Sequence, residues 1–192
     1  IAENLEDRLK HYAANPLFKG VRHIVQAEKD DYLLRADVQS GIGKLAKHNL
    51  TYDILVFPQQ LPAALALVKK FPKQQFILDH IAKPNISESI SYQWKVNITA
   101  LSKFENVSCK LSGMVTEAKN FIFKNQDFTP FLDHVFTSFG PNRLLFGSDW
   151  PVCLLAADYK KVLSIIKNYL DKYSTETKAQ VLGSNAIKIY NL

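Results

Sequence analysis

Five short apolar runs, each followed by apolar residues at helical spacing, restrict what this chain can fold into more than any other feature. Residues 21–25, 53–57, 76–78, 107–111 and 143–147 are rich in Val, Ile, Leu and Phe and too short for helices, so they read as buried strands. After them come Leu33, Leu34, Val38, Ile42 and Leu45, then Leu61, Leu65 and Val68, then Trp94, Ile98 and Leu101, then Phe131, Leu132, Val135 and Phe136, then Tyr159, Val162, Leu163, Ile166 and Leu170. Each set recurs every three or four residues, the spacing of one helix face. Leu5, Leu9 and Tyr12 predict a helix over about residues 4–14 before the first strand, and Ser174 predicts the start of a capped terminal helix. The stretch from Gly113 to Gln126 reads as a long loop. Buried strands alternating with helices imply an α/β fold with a parallel sheet, because a parallel neighbour is reached only through a crossover of about a dozen residues. An open doubly wound sheet and a (β/α)8 TIM barrel both satisfy that alternation, and periodicity does not separate them.

Composition narrows the class. Of the 192 residues 47% are hydrophobic, enough for a packed core, which excludes disorder as the main state. No apolar run reaches the ~18 residues of a membrane-spanning helix, so no membrane partner is expected, and with no leader pattern in view the expected location is cytoplasmic. Cys109 and Cys153 lack the paired spacing of a disulfide framework or structural zinc site. The net charge of +6 comes from scattered pairs such as Lys69-Lys70 and Lys160-Lys161, not from one basic block, so no nucleic-acid partner is expected. Asn85-Ile86-Ser87, Asn97-Ile98-Thr99 and Asn106-Val107-Ser108 match the glycosylation triplet, a weak pattern read as chance. His11, His48 and His134 fall in helix patterns and are expected in surface or groove positions.

Ligands of parallel α/β folds gather at the carboxyl ends of the strands, and here those ends carry polar groups. The first strand holds Arg22 and His23, the third ends in His80, the fourth carries Lys110 and Ser112, and Asp149 and Trp150 follow the fifth. Gly41-Ile42-Gly43 follows no strand, and neither GxGxxG nor a phosphate-cradling GxxxxGK[ST] occurs, which removes support for a nucleotide site. The absence of a GxSxG elbow argues against a serine nucleophile. Asp149 suits a general base or metal ligand, with a loop cap as its structural alternative; His80 suits a proton carrier or metal ligand, with a hydrogen-bonded core histidine as its alternative. Arg22, set among Val and Ile, requires an anionic partner or a polar lumen. Strand alternation points Arg22 and His23 to opposite faces, and Arg22 is the preferred inward residue; Lys110 and Ser112 share one face.

In order along the chain, Gly20-Val21-Arg22-His23, Phe76-Ile77-Leu78-Asp79-His80 with Lys83-Pro84, Cys109-Lys110-Leu111-Ser112-Gly113, residues 143–151, and Asn185-Ala186 with Tyr190 resemble the amidohydrolase-related family of the amidohydrolase superfamily, its branch of sugar-lactone and pyrone-dicarboxylate hydrolases. The resemblance implies a (β/α)8 barrel, with the five strands as its fourth to eighth. It also implies that residues 1–192 form one domain, the carboxyl-terminal part of a longer barrel, or that a partner chain supplies the other strands. The His-x-His pair of the family's first strand occurs nowhere here, and the fifth-strand position ends in Phe57-Pro58 rather than a histidine. His80 and Asp149 are the metal-ligand positions that remain, so a two-metal centre is not expected, and one divalent ion such as zinc, or none, is expected in the intact enzyme.

The activity implied by the resemblance is opening of a small sugar lactone or cyclic ester by water. Asp149 would act as general base and His80 and Arg22 would stabilise the oxyanion, while His23, Lys110, Ser112 and Trp150 would bind substrate. The chain by itself is expected to be inactive or nearly so. The alternatives are a metal-dependent decarboxylase of an aromatic or pyrone acid, and a barrel remnant or assembly partner without catalysis; a homo-oligomer is compatible with each.

Overall fold

The computed structural model describes residues 4–192. Its centre is one five-stranded sheet: β1 (Gly20–Ile24), β2 (Thr51–Leu55), β3 (Phe76–Leu78), β4 (Val107–Leu111) and β5 (Leu144–Phe146), all parallel and in the order β1-β2-β3-β4-β5. A doubly wound sheet reverses its strand order at a switch point, whereas a barrel adds each strand beside the last. The sequential order therefore makes this an α/β sheet of the (β/α)8 kind.

Helices α1 (Leu5–Ala13), α2 (Ala36–Ile42), α3 (Leu61–Lys70), α4 (Tyr92–Ser102), α5 (Thr129–Phe139), α6 (Tyr159–Leu170), α7 (Thr175–Ala179) and α8 (Asn185–Tyr190) complete the regular structure of the described residues. Ser91 accepts a hydrogen bond from the Trp94 backbone N–H, Asp158 from that of Lys161 and Ser174 from that of Thr177, which satisfies amides that α4, α6 and α7 leave free at their starts. One sheet face carries Ile54, Phe76, Leu78, Val107, Cys109, Leu111 and Leu144, each at most 0–1% exposed, against helix residues such as Leu67, Ile98, Leu101 and Val135. Fully burying side chains of this size contributes about 1.5–3 kcal/mol each, so this layer holds the sheet in place. The opposite parity carries Arg22, Asp53, Ser108 and Lys110, and this polar face is where the barrel lumen lies.

Strand β1 begins one residue earlier than expected and β5 is one residue shorter at each end; the larger differences lie elsewhere. The second strand lies two residues earlier than residues 53–57, because its ladder to β1 and β3 ends by Leu55 although Val56 remains buried; a shift of two preserves facing. The helix expected over Leu33 to Leu45 is a 3-10 turn at Tyr32–Leu34, then α2, then a 3-10 turn at Leu45–His48 that stops at Asn49 in the left-handed region, as Gly41 and Gly43 lower helix propensity there. The terminal helix is divided into α7 and α8 by a π-turn at Gln180–Ser184. The expected loop from Gly113 to Gln126 contains short 3-10 turns. His48 is partly buried between elements beside Glu6, with its Nε2 3.0 Å from Oε1.

Candidate active site

Beyond β3 the backbone makes a left-handed turn. His80, Ile81, Ala82 and Lys83 have φ of 55°, 48°, 59° and 47°, each costing a non-glycine residue roughly 1–2 kcal/mol. Tertiary contacts hold the turn: Ile81 and Ala82 are fully buried, the Trp94 indole N–H donates to the Ile81 carbonyl at 2.9 Å, and Lys83 pairs with Glu117 at 2.6 Å. Strain maintained in this way concentrates at functional sites. Here it brings His80, 6% exposed, back against the end of β4.

Two groups flank the imidazole. Ser112 Oγ is 2.7 Å from Nδ1, and Asp149 Oδ1 is 3.4 Å from Nε2. Asp149 also lies in the left-handed region, at φ 58°, and its Oδ2 is buried with no hydrogen-bond partner. Burial pushes the His80 pKa down from 6.5 to about 4; the nearby Asp149 charge opposes this, and Lys83, Lys110 and Arg22 reinforce it. The imidazole is therefore neutral near pH 7.

Beneath this pair the lumen face carries a line of alternating charges. Asp79, with 0% exposure, accepts from Arg22 at 3.1 Å and meets the Lys110 ammonium at 2.8 Å; Lys110 reaches Asp53 at 2.6 Å. Asp53 also accepts from Thr51 at 3.1 Å and from the Tyr190 hydroxyl at 2.5 Å. Burial opposes the Lys110 charge, but Asp79 and Asp53 outweigh it and raise its pKa; burial, then Asp53, raises that of the Tyr190 phenol. Asp53, Asp79 and Tyr190 are not among the site residues expected from sequence. The available signals were Asp53 at the head of an apolar run and Asp79 directly before His80.

The residues named from sequence divide accordingly. His80, Ser112 and Asp149 converge; Arg22 and Lys110 face the same lumen and are tied to Asp79. His23 is on the other face of the edge strand β1, 3.0 Å from Glu28 and stacked on Tyr32 at 5.0 Å between ring centroids, the separation from Arg22 that strand alternation requires. Trp150 is exposed beyond Asp149.

A catalytic zinc takes three protein ligands and an open position. Among the described residues no three His, Cys, Asp or Glu side chains come together. His80 and Asp149 are two donors, so the described residues do not complete a zinc site.

The low His80 pKa makes stability depend on pH. The folded chain holds the imidazole neutral where an unfolded chain would protonate it, so this contribution is complete above about pH 6.5 and is lost as the pH falls toward 4. A loss on the order of 3 kcal/mol follows from a shift of this size. Urea unfolding across that window should show a steeper decline for the wild type than for His80→Gln; equal slopes would contradict the buried neutral imidazole.

A profile described as amidohydrolase matches residues 1–192. The L-fucono-1,5-lactonase of Burkholderia ambifaria is 35% identical over 188 residues, covering 94% of this chain and 63% of that protein. The protein of the same description from Burkholderia multivorans is 34% identical over 203 residues, covering 100% of the chain and 68% of its own length. The chain thus spans about two thirds of these curated relatives. Among solved structures, an amidohydrolase from Burkholderia multivorans with bound zinc superposes at a TM-score of 0.93 with 34% identity, over 100% of this chain and 70% of that one. No helix of the described residues is long and apolar enough to cross a membrane. With five parallel strands in barrel order, polar groups at their carboxyl ends and a profile matched from end to end, the chain belongs to the amidohydrolase family.

Proposed function

We propose that the intact protein opens a sugar lactone by general-base attack of water, as a hydrolase whose carboxyl-terminal part is the domain formed by residues 1–192. The observation that carries this reading is Asp149 Oδ2, a buried carboxyl oxygen with no hydrogen-bond partner, beside a neutral imidazole. Water gives a proton to Asp149 as its oxygen bonds to the ring carbonyl carbon. The carbonyl oxygen takes up the negative charge, stabilised by the Nε2–H of His80 and the Arg22 guanidinium, each donor contributing on the order of 2.7–4 kcal/mol. The carbonyl re-forms, the bond to the ring oxygen breaks, and Asp149 returns the proton to that oxygen, leaving a hydroxy acid.

Arg22 is free to act because Asp79 engages only its Nη1 and its side chain is 47% exposed. Trp150, exposed next to Asp149, offers an apolar face to the sugar ring. Lys110 is occupied by two carboxylates and contributes to the lumen's charge rather than gripping substrate. His23 belongs to the opposite sheet face and has no part in the step. The substrate class is supported by the curated lactonases at 34–35% identity.

The test is hydrolysis of a panel of 1,5- and 1,4-sugar lactones by the full-length protein, followed by acid release. Turnover of at least one lactone is expected, with no release of carbon dioxide from aromatic carboxylic acids; the reverse pattern would replace hydrolysis with decarboxylation. The 192 residues alone are expected to be inactive or nearly so, because they supply two metal donors and five strands of the lumen wall. Full turnover by them would refute that part.

A further inference from the structure

Lactone opening uses Nε2 of His80 and requires the ring to be held with that nitrogen forward. Ser112 occupies the other nitrogen. Its Oγ is 2.7 Å from Nδ1, and the residue is 2% exposed.

The pair is enclosed by backbone. Gly113 has φ +60°, and a Cβ there would stand 2.5 Å from His80 Cγ and 2.7 Å from Nδ1, so only glycine lets the β4 loop wall the ring this closely. Gly147, after β5, lies against Ser112: a Cβ there would be 3.1 Å from Ser112 Cβ. The ends of β4 and β5 thus close around one hydroxyl and one imidazole. A hydroxyl can donate or accept, but a carboxylate only accepts. With Asp149 Oδ1 facing Nε2, the imidazole proton belongs on Nε2, and Nδ1 is left to accept from Ser112.

We propose that Ser112 is a positioning residue: its hydroxyl donates to His80 Nδ1 and holds the imidazole in the tautomer and orientation that turn Nε2–H toward Asp149 and the substrate. Ser112 therefore acts through His80 and does not bind substrate. The catalytic consequence rests on the lactone-hydrolase reading; the tautomer does not.

Long-range proton–nitrogen correlation spectra of the full-length protein, labelled with 15N-histidine and held near neutral pH with a chelator, read the tautomer directly. His80 is assigned by its loss in His80→Gln. The wild type should show the Nε2–H pattern, and Ser112→Ala, which removes one oxygen and keeps the fold by circular dichroism, should show a mixture of both tautomers. An Nδ1–H pattern in the wild type overturns the proposal even where the variant fails to fold, and so does an unchanged tautomer in Ser112→Ala. In lactone hydrolysis Ser112→Ala should lower kcat about tenfold, the rate equivalent of one hydrogen bond, with KM little changed. An unchanged kcat, or a raised KM alone, overturns the positioning role. If the full-length protein opens no lactone, the lactone reading fails and the tautomer spectra still decide the role of Ser112.

Discussion

Asp149→Asn is expected to lower kcat for lactone opening by about 10²–10⁴-fold, the usual contribution of a positioned general base, with KM and the unfolding midpoint close to wild type. Asn preserves the volume of the side chain, and its amide oxygen can still face His80 Nε2 where Asp149 Oδ1 now lies at 3.4 Å. What disappears is the ability to take a proton from water at the position of Oδ2, the buried oxygen with no hydrogen-bond partner. A change confined to kcat means the lost interaction exists only in the transition state, whereas a rise in KM alone would make Asp149 a substrate-binding group. Steady-state kinetics with thermal unfolding of the same preparations separates these outcomes. A kcat within a few-fold of wild type would remove Asp149 as the base and weaken the hydrolase reading.

Lys110→Met should cost about 3–5 kcal/mol of stability, the range for removing one partner from a buried ion pair. Methionine fills much of the same space, so the loss is electrostatic: Asp79, fully buried, retains only the half-exposed Arg22, and Asp53 retains Thr51 and Tyr190, neither of them a cation. Lys110→Arg distinguishes this from a packing defect, because it changes the shape of the side chain and keeps the cation. Urea unfolding should place Lys110→Arg well above Lys110→Met in stability; equal losses in the two variants would assign the effect to packing.

These effects arise at positions of unequal visibility in sequence. Asp149, His80 and Arg22 stand out locally: each follows or interrupts an apolar run, and strand alternation alone separates Arg22 from His23. Asp79 and Asp53 are as exposed to inspection, yet nothing nearby in sequence shows what they face. Arg22 is 57 residues from Asp79, Lys110 is 57 from Asp53, and Tyr190 reaches Asp53 across 137 residues. The left-handed turn at residues 80–83 was also hidden, because Ile81 disfavours that conformation and only burial, Trp94 and Glu117 hold it there. Sequence places Ser112 at a strand end but does not show its 2.7 Å approach to His80, which depends on how closely two strand ends come together.

The sequence alone determined the α/β alternation, the approximate strand positions and which residues of a strand share a face, because all three follow from local backbone periods of about 2.0 and 3.6 residues. Only the tertiary structure chose the barrel order over the doubly wound one, since both use the same local elements. It also decided which charges neutralise one another and which oxygen is left without a partner, since Coulomb and hydrogen-bond energies depend on separations in space that residue numbers do not encode.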